Sequence, residues 1–245
     1  MKNYPKRLII IPTYNEAENI ARLIEEIFQL HYDFEVLVID DNSSDGTAEI
    51  VRKLSVKRDK IFLIQRPSKL GYGSAIIEGF KFALNQKVDV VIEMDADFSH
   101  NPLYLKEFLH NINRYQVVIG SRYIKGGRVV NWPFKRRALS YLANIYVRLI
   151  TGMAIHDATS GYRCYRREVL ERIDFKAIKS EGYAFLIEMC FIYRQKEISI
   201  GEIPIVFVER KKGTSKISKR IIIEAFFLVL KLGWNRLRHS WSIKD

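Results

Sequence analysis

Three short apolar runs in this chain each end in acidic residues, and that arrangement narrows the fold and the chemistry together. Arg7-Leu8-Ile9-Ile10-Ile11 leads into Pro12-Thr13-Tyr14-Asn15-Glu16, and Glu35-Val36-Leu37-Val38-Ile39 leads into Asp40-Asp41. Val88-Asp89-Val90-Val91-Ile92-Glu93-Met94 leads into Asp95-Ala96-Asp97. In open α/β sheets, ligands bind outside the carboxyl ends of the strands. One acidic strand end reads equally well as a helix cap or a turn. Three of them predict a single acidic crevice. Carboxylates one residue apart supply hard oxygen ligands of the kind Mg²⁺ and Mn²⁺ share with substrate phosphates. The crevice is therefore expected to take a metal-bound nucleotide.

Strands and helices alternate from the start, which predicts an α/β fold with a mostly parallel sheet. Ile20, Leu23, Ile24, Ile27 and Phe28 have helical spacing. Asp45-Gly46 turns the chain into a helix near 47–54, and Ile61-Phe62-Leu63-Ile64 reads as a strand. The next helix starts at Tyr72 with Ile76, Ile77, Phe80 and Leu84 on one face. Gly71-Tyr72-Gly73 lacks both the third glycine and the preceding strand of a dinucleotide fingerprint, so it is read as a tight turn before that helix. Asn101-Pro102 opens a helix, with proline in the first turn, and 116–120 is a strand. Beyond Ser121 the alternation fades. Residues 123–132 are expected to form a basic loop and 134–150 a helix. Residues 202–208 are expected to form one late strand, with Pro204 marking a sheet edge.

With 245 residues, 48% of them hydrophobic, the chain has material for a real core. Cys164 and Cys190 form no CxxC, so neither a zinc site nor a disulfide framework is expected. The first residues run straight into a strand, without the apolar stretch of a signal peptide, and a cytoplasmic location is expected. The net charge of +12 is unevenly spread: 108–156 contains no Asp or Glu, and 210–238 is basic apart from Glu224. A polyanionic partner, phosphorylated or lipidic, suits this imbalance. No recognition motif accompanies the charge, so nucleic acid is not expected.

Taken together, Pro12-Thr13-Tyr14-Asn15-Glu16, Asp40 to Thr47 and Met94-Asp95-Ala96-Asp97 resemble family 2 glycosyltransferases of the GT-A fold. Gly120-Ser121-Arg122-Tyr123, Asn131-Trp132-Pro133, Arg136-Arg137, Asp157 to Arg163 and Arg210 to Lys216 are similar to the dolichol-phosphate and polyprenol-phosphate mannosyltransferase branch. The resemblance covers nearly the whole chain. It implies a GT-A catalytic domain over 1–216, with a Rossmann-like sheet flanked by helices, and a basic amphipathic C-terminal helix over 217–245.

The implied reaction is inverting transfer of mannose from GDP-mannose to a polyprenyl monophosphate, with Mg²⁺ or Mn²⁺ as cofactor. Pro12, Tyr14, Glu16, Ile39 and Asp41 are implied to hold base and ribose, with Asp95, Ala96 and Asp97 at sugar and diphosphate. Asp97 is the implied metal ligand. Ser99 stands where some members carry a glutamine ligand, and its hydroxyl can take that place. Arg122, Arg210 and Lys216 are implied to meet phosphate charge. Arg122, Arg137 and Lys135, or Arg136, would orient the acceptor phosphate. Asp157 and Glu188 are candidate base or acceptor-orienting groups, with a structural cap or salt bridge as the other reading; His100 and His156 are read as structural. UDP-glucose as donor stays open, as does a non-catalytic adaptor. Residues 221–234 are apolar yet shorter than the roughly 20 residues a bilayer span takes. Their basic and Trp flanks predict a peripheral helix on the cytoplasmic face of an anionic membrane. An ordinary helix packed on the sheet is the alternative. The resemblance also leaves room for a membrane-anchoring subunit.

Overall fold

The computed structural model describes residues 5–209 and 219–241. Its elements, in chain order, begin with β1 (Arg7–Thr13), α1 (Ile20–Gln29), β2 (Phe34–Asp40), α2 (Thr47–Lys57), β3 (Ile61–Gln65) and α3 (Tyr72–Asn85). Next come β4 (Val90–Glu93), a 3₁₀ turn at Pro102–Tyr104, α4 (Leu105–Asn111), β5 (Val117–Ser121), β6 (Arg128–Val130) and α5 (Phe134–Thr151). The chain ends through β7 (Arg163–Arg166), α6 (Arg167–Glu171), α7 (Gly182–Gln195), β8 (Ile200–Pro204), β9 (Val206–Val208) and α8 (Lys219–Trp241).

Seven strands form one sheet in the order β3-β2-β1-β4-β7-β5-β8, parallel except for β7. Period-2 alternation divides each strand between two cores. Leu8 and Ile10 face the core completed by α3 and α7, whereas Ile9 and Ile11 face the core completed by α1 and α4. Both faces are covered, which explains the nearly unbroken apolar runs. The carboxyl ends of β1, β2, β4 and β5 consequently lie along one edge. Because β7 runs the other way, its beginning reaches that same edge and delivers residues 159–161 to it.

Two expectations after Ser121 need correction. The late strand breaks at Ile205: β8 pairs with β5 as an edge strand of the main sheet, and β9 pairs with β6 in a separate two-stranded ribbon. Pro204 does sit on a sheet edge, where its missing N–H costs no ladder bond. Residues 123–132 are therefore not loop throughout, since 128–130 form β6. Strand β7 was not anticipated at all. Its Arg163 is fully buried and donates to the carbonyls of Ser160 (2.7 Å), Ala158 (2.8 Å) and Leu186 (3.1 Å). Such a strand hides from a hydropathy reading because hydrogen bonds, not apolar contacts, make its burial tolerable.

Helix α8 packs on α5 and α7 through Val229, Leu232 and Gly233. A methyl group on Gly233 would overlap Ile150, so the close approach of α8 to α5 depends on that glycine. No helix among the described residues is long and apolar enough to cross a membrane.

Candidate active site

A cavity of about 420 Å³ opens at the shared strand edge and is lined by residues from almost every loop there. Its size falls within the usual range for small-ligand sites, about 300–1,000 Å³. Pro12, Tyr14, Glu16, Ile39, Asp41, Asp95, Ala96, Asp97, Ser99 and Arg122 all line it. The structure thus brings together every described residue expected to bind donor or metal. Arg210 and Lys216 lie outside the described residues.

The two acids at the end of β2 divide their roles. Asp40 is fully buried and accepts hydrogen bonds from Thr13 Oγ1 (3.0 Å) and the Ser43 backbone (2.9 Å), which ties the ends of β1 and β2 together. Asp41 faces the cavity. Its carboxylate accepts from the N–H groups of Gly71 (2.9 Å) and Leu70 (3.3 Å) and pairs with buried Arg66. Arg66 in turn donates to the Gly71 carbonyl (2.8 Å) and Ser74 Oγ (2.7 Å). Gly71 holds φ +102°, a conformation that glycine adopts without strain, and it turns the chain into α3 as expected.

Beyond β4 the chain makes a tight acidic turn. Asp97 Oδ1 accepts the Ser99 N–H at 3.0 Å, and Phe98 between them has φ +61°. His100 Nδ1 accepts the Asp95 N–H at 2.9 Å while its ring stacks on Tyr162 at 4.7 Å. Burial pulls the His100 pKa down to about 4, against the opposing pull of the Asp97 carboxylate. It is a neutral imidazole that accepts within the turn and also lines the cavity. Ser99 Oγ is buried, lines the cavity and has no hydrogen-bond partner. An orphaned hydroxyl beside two carboxylates is a hard-oxygen donor set, and it fits a divalent cation. No three His, Cys, Asp or Glu side chains cluster at metal-binding spacing among the described residues.

After β5, Arg122 also lines the cavity and is only 5% exposed. Its Nε and Nη2 each donate to Asp157 at 2.7 Å, Nη2 also reaches Thr159 Oγ1 at 2.8 Å, and its backbone N–H meets Asp157 at 3.0 Å. The rings of Tyr123, Phe207 and Trp132 surround the guanidinium at 5.3, 5.4 and 5.7 Å. Asp157 is wholly buried and does not line the cavity. Burial pushes its pKa up, but the charge and hydrogen bonds of Arg122 outweigh that and hold it below the usual carboxylate value. Glu202 completes the support by accepting the N–H groups of His156 (3.0 Å) and Asp157 (3.1 Å). Asp157 therefore stands behind Arg122, with both carboxylate oxygens engaged. Glu188, on α7, likewise does not line the cavity.

Of the three cations that open α5, Arg136 alone reaches the cavity, 4.0 Å over the Trp132 ring and paired with Glu209. Lys135 and Arg137 are exposed and lie outside its lining. Consecutive helical residues point about 100° apart, so one of the three can face the site while its neighbours face away. Sequence reasoning also missed Lys69, Tyr72, Glu181 and Tyr183, which line the cavity. Glu181 accepts the N–H groups of Gly73 (2.8 Å) and Ser74 (3.2 Å), capping α3 from over a hundred residues away. No local motif announces such a contact. Lys69 lay within reach, since it stands two residues before the glycine turn at 71–73.

A relative from Mycolicibacterium smegmatis, a polyprenol monophosphomannose synthase, is 43% identical over 230 residues, 93% of this chain and 87% of the relative. The undecaprenyl-phosphate mannosyltransferase of Micrococcus luteus is 40% identical over 235 residues, 94% of this chain and 97% of that one. Glucosyl-3-phosphoglycerate synthase from Mycobacterium tuberculosis, solved with Mn²⁺, UDP and phosphoglyceric acid, superposes with a TM-score of 0.67 at 16% identity, covering 93% of this chain and 80% of that one. Mannosyl-3-phosphoglycerate synthase from Rubrobacter xylanophilus gives a TM-score of 0.67 at 17% identity, covering 98% and 76%. At those identities the two structures establish the shared fold, the α/β GT-A architecture expected from the motifs. The family model described as glycosyl transferase family 2 matches residues 8–174, more than half of the chain. The chain belongs to glycosyltransferase family 2.

Proposed function

We propose that this enzyme transfers mannose from GDP-mannose to a polyprenyl monophosphate, with inversion at the anomeric carbon, giving polyprenyl phosphate mannose and GDP. The observation that carries the reading is one cavity lined both by the acidic turn 95–99 and by Arg122 and Arg136. The names of the two relatives at 40–43% identity supply the sugar and the lipid class.

In this reading Pro12, Tyr14, Glu16, Ile39 and Asp41 hold the nucleoside, and Asp95 and Ala96 face the sugar and diphosphate. Asp97 and Ser99 would hold Mg²⁺ or Mn²⁺, which when bound supplies Lewis-acid neutralisation of the departing diphosphate. The bond from the anomeric carbon to GDP breaks as one from an acceptor phosphate oxygen forms. That phosphate is already ionised near neutral pH, with a second pKa of about 6, so no strong general base is needed. The harder task is to hold two anions together. Arg122 and Arg136 meet it with charge-assisted hydrogen bonds to the acceptor phosphate. Asp157 acts through Arg122, fixing the guanidinium plane so that Nη1 is the nitrogen left for a ligand.

Helices α5 and α8 support peripheral membrane attachment. Phe134, Leu142 and Leu149 on α5, with Ile223, Phe227 and Trp234 on α8, are all more than half exposed. Exposed apolar side chains on two packed helices, with Lys135, Arg137 and Arg148 on α5, suit the boundary of an anionic bilayer, where a lipid acceptor would reside.

A donor screen tests the reading. Purified protein with Mn²⁺ or Mg²⁺ and a short polyprenyl monophosphate should yield a mannolipid, detected by mass spectrometry, from GDP-mannose. Product from UDP-glucose alone would overturn the donor assignment.

A further inference from the structure

Three cations line the cavity among the described residues, and two of them are matched by carboxylates: Arg122 by Asp157 and Arg136 by Glu209. Lys69 differs. Its ammonium rests on the face of Tyr14, 3.8 Å from the ring centroid. Tyr14 belongs to the wall implied to hold the nucleoside, and Asp41, Asp95 and Asp97 line the same cavity. A cation kept on a ring face, with carboxylates sharing its cavity, is held by a weak interaction that a charge-assisted hydrogen bond readily replaces.

The loop that carries Lys69 is firmly anchored. Asp41 takes the N–H groups of the next two residues, Leu70 and Gly71, and Arg66 closes the loop from the other end through the Gly71 carbonyl. The backbone is fixed while the Lys69 side chain is exposed and long enough to swing. Of the parts of a sugar nucleotide, only the diphosphate is anionic.

We infer that Lys69 is a donor-binding residue: it leaves the Tyr14 ring to pair with the phosphate oxygens of the nucleoside diphosphate, freeing the ring face for the nucleobase. The anchoring by Asp41 then gives this acid a second part in donor binding, as the support for a phosphate ligand. The inference rests on the reading that the donor is a nucleoside diphosphate sugar.

Calorimetric titration of wild type, Lys69→Met and Lys69→Arg with GDP, GMP and guanosine in the presence of Mg²⁺ tests it. Lys69→Met should weaken GDP about tenfold, the lower range for a hydrogen bond between charged groups, and change guanosine less than twofold. Lys69→Arg should restore most of the GDP affinity. The exposed position predicts an unchanged melting temperature for both variants, which separates binding from folding. GDP affinity within twofold of wild type in Lys69→Met would overturn the inference. Equal losses for GDP and guanosine would also overturn it, because Lys69 would then only shape the Tyr14 face. If wild type binds UDP instead of GDP, the donor base is corrected, and UDP affinity within twofold of wild type in Lys69→Met would overturn the inference while a loss of about tenfold would support it. Wild type that binds neither would overturn the donor reading and the inference with it.

Discussion

At the ends of β1, β2 and β4 the cavity wall is made of carboxylates set on parallel strands. At the end of β5 it is made of guanidinium groups, each held by a carboxylate partner. On the first side Glu16, Asp41, Asp95 and Asp97 line the cavity, with Ser99 Oγ unpartnered beside the last two. On the second side the cations face the cavity, and Asp157 is buried behind Arg122 while Glu209 stands beside Arg136. The difference teaches that the two walls solve opposite problems. In the proposed reaction the acidic wall would gather positive charge around a leaving diphosphate, whereas the arginine wall would hold fixed positive charge for an incoming phosphate.

The largest effect is expected on the acidic wall. Asp97→Ala should lower kcat by about a thousandfold or more, measured in steady state with saturating Mn²⁺, since electrostatic stabilisation of leaving-group charge is commonly worth about 10²–10³. Near-normal turnover would break the division between the walls. Arg136→Ala should raise the KM for the lipid acceptor by about a hundredfold and leave the KM for GDP-mannose within about threefold, on the scale of a lost charged hydrogen bond. Lys135→Ala should alter both by less than about twofold, because its side chain faces away from the cavity.

Asp157→Asn addresses stability as well as rate. Removing one partner of a buried pair should cost about 3–5 kcal/mol of folding stability, read from denaturant unfolding. Asp157 has a lowered folded-state pKa, so its contribution is present above the unfolded value and is lost as pH falls through the folded one. The gap between wild type and variant should therefore be widest near neutral pH and narrow below about pH 4. If Asp157 were instead a general base, the variant would lose rate without losing stability. The smallest effect on chemistry belongs to Leu149→Asp combined with Phe227→Asp. These exposed changes should abolish co-sedimentation with anionic liposomes and leave turnover of a water-soluble short-chain acceptor unchanged.

The two walls also differ in how far they could be read in advance. The acidic wall follows from hydropathy alone, because strands covered on both faces give unbroken apolar runs and their ends announce themselves. The arginine wall depends on β7, whose burial rests on hydrogen bonds from Arg163, and on a strand pair, β6 with β9, that joins residues about eighty positions apart. Asp157 was legible as a chemical residue but not as a buried one, since burial there is set by Arg122 from another element. The choice of Arg136 over Lys135 and Arg137 needed the rotation of α5. Glu181 enters the site by accepting from Gly73 and Ser74 at the start of α3, a distant contact that nothing local marks, whereas Lys69 adjoins a glycine turn that the sequence does show.

The most direct test of the central claim is the structure of the product made from GDP-mannose and a polyprenyl monophosphate, determined by NMR of the isolated glycolipid. The account expects a mannosyl phosphodiester of β configuration, opposite to the donor, formed only while a divalent cation is present. An α-configured product would contradict it, since a single inverting displacement cannot give retention, and formation undiminished by a chelator would contradict the role assigned to Asp97 and Ser99.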